Sequence, residues 1–134
     1  MIEGAKRNLR ILITDDSRTV RKVIAKTLEL CGVHIEEIFE AATGREALAM
    51  IEQHSIDLMF LDLHMPDMDG DETIEVLGEL DRLDDICVVM VSSDRSRERI
   101  DELIRRGVRA FIIKPFKPED IRSAVEALLP GGVK

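Results

Sequence analysis

The sequence predicts an α/β protein with one doubly wound, five-stranded parallel sheet that has helices on both faces. Five short apolar runs alternate along the chain with segments whose apolar residues recur at helical spacing. The fourth apolar run has no polar alternation, as a central parallel strand covered by helices on both faces requires. Such alternation specifies parallel strands joined by right-handed crossovers.

The apolar runs are the predicted strands, and turn residues bound each of them. They are Leu9–Thr14, Val33–Ala41, Asp57–Leu61, Ile86–Val91 and Ala110–Ile113. Five βα units favour the flavodoxin-like strand order 2-1-3-4-5. In sheets of this kind, ligands bind beyond the carboxyl ends of the strands, where the winding order reverses. Here that point lies between the first and third strands.

The first two helices are predicted from an apolar stripe together with end signals. Helix one ends at Gly32, and its stripe comprises Val20, Val23, Ile24, Thr27 and Leu28. Helix two opens with Thr43, whose hydroxyl caps it while the side chain of Glu46, three residues later, reaches back. Its buried stripe comprises Ala47, Met50 and Ile51.

The remaining three helices follow the same pattern. The third runs from about Gly70 to Leu80, with Ile74 and Leu77 facing inward. The fourth stops at Gly107, and its stripe comprises Ile100, Leu103 and Ile104. The fifth begins at Pro118, with the acids Glu119 and Asp120 in its first turn, and buries Ile121, Ala124, Val125 and Leu128.

Composition narrows the class of partner. The formal net charge of -8 repels nucleic acid and anionic membranes, so direct nucleic-acid binding is not expected. Aromatic residues make up 3% of the chain, with no Trp and no Tyr, which leaves little material for stacking on a flat cofactor or on bases. A flavodoxin-like electron carrier is disfavoured for the same reason.

The chain is interpreted as one domain over residues 9–129, with an N-terminal extension at 1–8 and a C-terminal tail at 130–134. A length of 134 residues, 45% of them hydrophobic, is enough for one core. No signal peptide and no apolar run near the roughly 20 residues of a membrane span is found, so a cytoplasmic protein without membrane insertion is predicted. Cys31 and Cys87 match no metal-ligand spacing and are expected to be free thiols.

Polar residues stand at the carboxyl ends of four predicted strands. Strand one is followed by Asp15 and Asp16, strand three by Asp62, strand four by Ser92 and Ser93, and strand five by Lys114 and Pro115. Any one of them alone has an ordinary structural explanation, as a helix cap, a turn or a solvated lysine. Together they place three carboxylates, hydroxyls and an ammonium at the predicted ligand crevice.

Four motifs carry a family resemblance: ILITDDS at 11–17, LDLHMPDMDG at 61–70, MVSS at 90–93 and FIIKPF at 111–116. They resemble, in order and separation, the receiver domains of two-component response regulators, and the likeness covers nearly the whole chain. A stand-alone domain similar to the chemotaxis regulators is expected. The resemblance implies that a histidine kinase, or a histidine phosphotransfer protein, donates a phosphoryl group to Asp62.

The resemblance also implies a role for each site residue. Mg²⁺ is the expected cofactor, an ion that prefers oxygen ligands; the implied ligands are the carboxylates of Asp15, Asp16 and Asp62 and the backbone carbonyl of His64. Lys114, Ser92 and Ser93 are expected to bind the phosphoryl group, and the Lys114–Pro115 peptide bond to be cis. Ser92 and Phe111 are the expected switch pair, where many relatives have Thr and Tyr.

Two other functions remain open. The domain is an effector or an intermediate carrier in a phosphorelay, and the sequence does not decide between them. A Mg²⁺-dependent aspartyl phosphatase fits less well, because that chemistry needs a second Asp two positions after the nucleophile, where this chain has His64. The expectation is therefore a protein that catalyses its own phosphorylation and dephosphorylation only, and not an enzyme acting on other substrates.

The resemblance places the partner-binding surface on helix four, strand five and helix five. Arginines concentrate there at positions 95, 97, 99, 105, 106 and 109, which is compatible with an acidic partner. The alternative is that Asp101 with Arg105, and Glu102 with Arg106, form ordinary i,i+4 pairs on a solvated helix. Charge alone gives one more expectation: the three site carboxylates repel one another, so neutralising any one should stabilise the metal-free protein.

Overall fold

A computed structural model describes residues 8–133 of the protein. The strands are β1 (Leu9–Thr14), β2 (Ile35–Ala41), β3 (Leu58–Leu61), β4 (Cys87–Ser92) and β5 (Ala110–Ile113). The helices are α1 (Arg18–Leu30), α2 (Gly44–Gln53), α3 (Gly70–Glu79), α4 (Arg97–Arg105) and α5 (Pro118–Leu128). The N-terminal extension predicted at 1–8 falls almost wholly outside the described residues.

The sheet has the predicted architecture. Its strand order is β2-β1-β3-β4-β5 and every neighbouring pair is parallel, which confirms the expected fold. One face packs against α1 and α5, through residues such as Leu28 and Val125. The other face packs against α2, α3 and α4, through residues such as Ile51, Leu77 and Leu103. The strands β3 and β4 are buried along their whole length, as their apolar sequences require.

The helices begin where the polar caps are. Ser17 caps α1, Thr43 caps α2 and Ser96 caps α4, each with a side-chain oxygen that accepts a hydrogen bond from the first turn. Asp69 and Glu72 form a capping box at α3. The Glu46 side chain reaches back as predicted, but it accepts from the backbone N–H of Ala42 at 2.9 Å.

Several local predictions need correction. The strand β2 begins at Ile35 and not at Val33, because Val33 pairs antiparallel with Val133, and the His34 N–H donates to the carbonyl of Gly132 at 2.6 Å. Two residues assigned to buried stripes are half exposed: Val23 at 47% and Ile104 at 46%. They lie at the margins of their stripes, beyond the part of each helix face that the sheet covers.

The helix α4 is joined to α3 by ion pairs as well as by apolar packing. Leu103 is its one fully buried residue within the described chain. Asp71, on the first turn of α3, accepts hydrogen bonds from Arg99 at 2.9 Å and from Arg106 at 2.6 Å. The i,i+4 pairs predicted within α4 are therefore wrong: Arg106 pairs across to α3, and Asp101 lies 4.0 Å from Arg97.

Candidate functional site

The strand register brings the predicted site residues to one edge of the sheet. The backbone N–H of Asp15 donates to the carbonyl of Ala41 on β2 at 3.0 Å, and that of Asp62 donates to Thr14 on β1 at 2.9 Å. The N–H of Lys114 donates to Ser92 on β4 at 2.9 Å. The parallel ladders thus continue one residue beyond the strands, and this fixes the starting point of each functional side chain.

Three carboxylates converge at this edge. Asp15, Asp16 and Asp62 each offer an oxygen, and these oxygens lie within 4.8 Å of one another. Asp15 and Asp62 are buried, with 2% and 7% of their surface exposed, whereas Asp16 is open to solvent. A set of carboxylate oxygens with one open side is the kind of donor group that a hard divalent cation such as Mg²⁺ prefers. The residues present therefore fit a magnesium site.

Lys114 supplies positive charge to the same cluster. Its Nζ lies 2.8 Å from Oδ2 of Asp15 and 3.5 Å from Oδ2 of Asp62. Burial by itself would lower the pKa of Lys114, but the hydrogen bond to Asp15 and the charges of both carboxylates outweigh it and raise that pKa. The ammonium therefore stays protonated. The Lys114–Pro115 peptide bond that follows is cis, as the resemblance implies.

The surroundings of Asp62 favour the neutral form of its carboxyl. Burial raises the pKa of Asp62, and the negative charge of Asp15 raises it further. Lys114 opposes this rise, as does the N–H of His64, which donates to Asp62 Oδ1 at 3.3 Å. A carboxyl with opposing perturbations, at the ligand edge of the sheet, is a candidate for chemistry.

The loop after Asp62 is held close to it by Gly70. The N–H of Gly70 donates to the carbonyl of Leu63 at 2.9 Å. A Cβ at position 70 would lie only 2.4 Å from the carbonyl oxygen of Asp62, so a glycine is needed at this approach. The start of α3 is therefore packed directly against the backbone of the candidate phosphoacceptor.

The remaining predicted residues surround the cluster. Ser92 is fully buried, and its hydroxyl accepts a long hydrogen bond of 3.4 Å from the N–H of Asp94. Phe111 is partly buried and packs on the sheet face that also carries Met90 and α4. Since side chains alternate along a strand, Ser92 lies on the same face as Met90. Ser93 is exposed, and its contact with a phosphoryl group stays a prediction.

Sequence reasoning named His64 for its backbone carbonyl only. Its side chain is exposed, and Nε2 lies 3.6 Å from Oδ2 of Asp94, across the mouth of the site. Sequence reasoning missed Arg21, whose guanidinium donates to the backbone carbonyl of Asp15 at 2.7 Å. Helical spacing carried no signal for Arg21, since its anchor, Glu40, lies on another element.

Two further predictions can be compared with the described residues. Cys31 and Cys87 are free and buried, as expected. Between residues 8 and 133, no helix combines the length and the apolar character needed to cross a bilayer. The cytoplasmic location stays a prediction.

Comparisons with known proteins show which family the chain resembles. A sequence model described as the response regulator receiver domain matches residues 11–126 of the chain. The chemotaxis protein CheY of Pseudomonas aeruginosa is 30% identical over 120 residues, which are 90% of this chain and 95% of that protein. A chemotaxis protein CheY homolog of Campylobacter jejuni is 28% identical over 125 residues, covering 92% of this chain and 95% of the relative.

Solved structures show the same fold. A CheY-like response regulator receiver domain protein from Methanospirillum hungatei has a TM-score of 0.77 and 31% identity, over 90% of this chain and 93% of its own. The CheX-CheY-BeF3-Mg complex from Borrelia burgdorferi matches with a TM-score of 0.80 and 28% identity, over 90% of this chain and 88% of that one. With a family match over most of its length and the acidic cluster at the expected edge of the sheet, the chain belongs to the response regulator receiver domains.

Proposed function

We propose that this receiver domain accepts a phosphoryl group on Asp62 in a Mg²⁺-dependent reaction and thereby changes its binding to a partner protein. The observation that carries the proposal is the cluster of three carboxylates around one lysine ammonium at the ligand edge of the sheet. Charged residues at ordinary solvated strand ends point away from one another. Here the charged groups are close together and partly buried, which costs folding free energy, and a binding role explains that cost.

Asp62 is the nucleophile in this proposal. One of its carboxylate oxygens attacks phosphorus, the P–N bond to the donor's phosphohistidine breaks, and the histidine nitrogen keeps the electron pair. Hydrolysis removes the phosphoryl group again. A water oxygen attacks phosphorus, the P–O bond to Asp62 breaks, and the free carboxylate and orthophosphate are formed. The protein catalyses only these two reactions on itself, and we propose no activity on other substrates.

Bringing two anions together requires positive charge and alignment. Mg²⁺, when bound by the oxygens of Asp15, Asp16 and Asp62 and the His64 carbonyl, supplies most of that charge. Lys114 is already 3.5 Å from Asp62 and can neutralise one phosphoryl oxygen. Ser92 can donate its hydroxyl to another, because the hydroxyl is described only as the acceptor of one long bond, from Asp94. We propose Ser93 as a further hydroxyl donor.

The switch would run from Ser92 to Phe111. Both lie on the sheet face that packs against α4, and Phe111 is only partly buried there. Movement of the Ser92 hydroxyl toward a phosphoryl group would change the packing available to Phe111. The output surface in this proposal is α4, β5 and α5, where a downstream protein binds.

The donor is a sensor histidine kinase or a histidine phosphotransfer protein. An effector and a phosphorelay carrier use the same site chemistry, and they differ in whether the phosphoryl group passes on to a second histidine. An aspartyl phosphatase would instead turn over many substrate molecules. No feature of the described residues favours that reading, and His64 lies where a second catalytic Asp is needed.

The test uses purified protein, a small acyl phosphate and Mg²⁺, with intact-mass spectrometry as the readout. The wild type should gain one phosphoryl group that alkali removes, and Asp62→Asn should gain none. The matched control is Asp67→Asn, which should label normally: Asp67 is an exposed acid in the same loop as Asp62, between β3 and α3, and it pairs with Arg45 on α2. A chelator should stop labelling, because the cluster then repels the donor.

Three results would contradict the proposal. Normal labelling of Asp62→Asn would show that the phosphoryl group goes elsewhere. Labelling that is indifferent to chelator would exclude the metal role of Asp15 and Asp16. Release of orthophosphate over many turnovers from a general phosphate ester would favour the phosphatase.

A further inference from the structure

Arg21 is a nearly buried cation beside the acidic cluster. Its side chain is 14% exposed, which is low for an arginine on a surface helix. Nη1 donates to the backbone carbonyl of Asp15 at 2.7 Å, and Nε donates to Oε1 of Glu40 at 2.9 Å. The guanidinium therefore joins α1, the end of β1 and the end of β2.

The carbonyl that Arg21 holds belongs to the peptide between Asp15 and Asp16. Asp15 is fixed on its other side as well, through its N–H on Ala41, and Oδ1 of its carboxylate accepts from the N–H of Ser17 at 2.9 Å. Asp16 is exposed, so its direction depends on the peptide plane that precedes it. Arg21 donates to the carbonyl of that peptide, which joins two candidate metal ligands.

Glu40 keeps Arg21 in place. Burial would raise the pKa of Glu40, but hydrogen bonds from Arg21 and Lys22 outweigh burial and lower it, so this carboxylate stays ionised. The two donors of Arg21 face in fixed directions, since the guanidinium is a planar fork. A lysine at position 21 would keep the charge but would not span both acceptors with the same geometry.

We infer that Arg21 is a positioning residue of the Mg²⁺ site and acts through the Asp15–Asp16 peptide. The inference rests on the proposed function, since it needs Mg²⁺ to bind these acids. It assigns no contact between Arg21 and the ion. Outer residues that orient ligands in this way commonly change metal affinity about 10-fold to 100-fold when they are lost.

The sign of the effect separates positioning from simple electrostatics. Removing a cation near an acidic cluster should strengthen the binding of a divalent cation, since less positive charge opposes it. Loss of ligand positioning should weaken it. A general loss of stability would change the melting midpoint but leave the affinity of the folded protein unchanged.

The experiment measures the dissociation constant of Mg²⁺ by isothermal titration calorimetry at neutral pH and fixed ionic strength, well below the melting midpoint. We expect Arg21→Ala to weaken Mg²⁺ binding about tenfold, and Arg21→Lys to recover part of the loss. Lys22→Ala is the control, because Lys22 also binds Glu40, at 3.1 Å, but has no described contact with Asp15. Its affinity should stay within about twofold of the wild type.

A second variant guards against misfolding of Arg21→Ala. Glu40→Gln leaves Arg21 present but loosens its anchor, and should weaken Mg²⁺ binding in the same direction by a smaller factor. Binding of Mg²⁺ to Arg21→Ala and Glu40→Gln as tightly as to the wild type, or more tightly, would overturn the inference while the proposed function stands. Failure of the wild type to bind Mg²⁺ at all would overturn both.

Discussion

Replacing Asp62 by Asn should stabilise the metal-free protein. The change removes one charge from a cluster in which carboxylate oxygens lie within 4.8 Å of one another. It also gives up the attraction to Lys114 at 3.5 Å. The His64 N–H can still donate to the side-chain oxygen at this position, so the local backbone has no reason to move.

The expected gain follows from these distances. At an effective dielectric constant of about 20, the repulsion from Asp15 across at most 4.8 Å is about 3.5 kcal/mol, and the lost attraction across 3.5 Å is about 5 kcal/mol. Asp16 is exposed and adds little, but burial also disfavours the charged form of Asp62 by several kcal/mol, so the balance favours the neutral side chain by about 2 kcal/mol. For a domain of this size that is a rise of about 7 °C in melting midpoint.

The assay is differential scanning calorimetry at pH 7 in the presence of a chelator. Asp84→Asn, which neutralises an exposed acid before β4, is the matched control and should shift the midpoint little. The structure predicts different gains for the three acids, whereas nothing in the sequence distinguishes them. Asp15→Asn should gain less than Asp62→Asn, because Asp15 has the closer contact with Lys114, at 2.8 Å.

The pH dependence has a definite sign. The pKa of Asp62 is raised in the folded state, chiefly by burial and then by Asp15, so the folded protein holds this proton more tightly than the unfolded chain does. The contribution of Asp62 to stability is therefore favourable at low pH and is lost as pH rises through the raised pKa. The advantage of Asp62→Asn should grow over the same interval and be small at more acidic pH.

Mg²⁺ supplies a second comparison. A ligand at a hundredfold excess over its dissociation constant stabilises the folded state by about 2.7 kcal/mol. The wild type should gain more from Mg²⁺ than Asp62→Asn does, because the variant has a weaker site and less repulsion to relieve. Two results together would refute the proposed metal site shared by the three acids. The metal-free melting midpoint of Asp62→Asn would be no higher than those of the wild type and Asp84→Asn, and Mg²⁺ would raise it as much as it raises that of the wild type.

Other positions give independent predictions. Lys114→Ala removes the ammonium that lies 2.8 Å from Asp15 and 3.5 Å from Asp62, so it should lower the metal-free melting midpoint. The variant should bind Mg²⁺ at least as tightly as the wild type, and weaker Mg²⁺ binding would contradict this. Asp71→Ala should speed amide hydrogen exchange across α4 while leaving α2 unchanged, since it removes the acceptors of Arg99 and Arg106. Exchange rates in α4 equal to those of the wild type would show that the helix is held without these ion pairs. Gly70→Ala should lower the free energy of unfolding by about 1–3 kcal/mol, because its Cβ would meet the Asp62 carbonyl at 2.4 Å. Gly78→Ala should raise that free energy by about 0.5–1 kcal/mol, because position 78 of the same helix is exposed and the nearest atom to an added Cβ would be 3.7 Å away. Equal effects at the two glycines would contradict the packing described.

Much of the fold was predictable because it depends on short-range pattern. The uninterrupted apolar run of β4 identifies a central strand in any compact α/β arrangement, and Thr43 with Glu46 three residues later identifies the start of α2. The candidate site was predictable for a related reason. Asp15, Asp62 and Lys114 each follow a strand directly, and parallel strands of one sheet end at the same edge. That these three residues lie close together therefore follows from their position directly after a strand.

The corrections concern contacts between elements. Helical spacing placed Val23 and Ile104 on apolar faces, but how much of a face is covered depends on the neighbouring elements, and both side chains are half exposed. The spacing of Arg106 from Glu102 suited an i,i+4 pair, yet Arg106 reaches Asp71 on α3.

The sequence by itself determined the order of the elements, the two apolar faces of the sheet and the set of residues at its ligand edge. Only the tertiary structure decided that burial and Asp15 raise the pKa of Asp62, where Lys114 lies between two acids, and that Arg21 donates to the carbonyl of Asp15. The physical reason is that strand and helix periods are local properties of the chain. Electrostatic energies and the partners of long side chains instead depend on distances between segments that only the folded chain brings together.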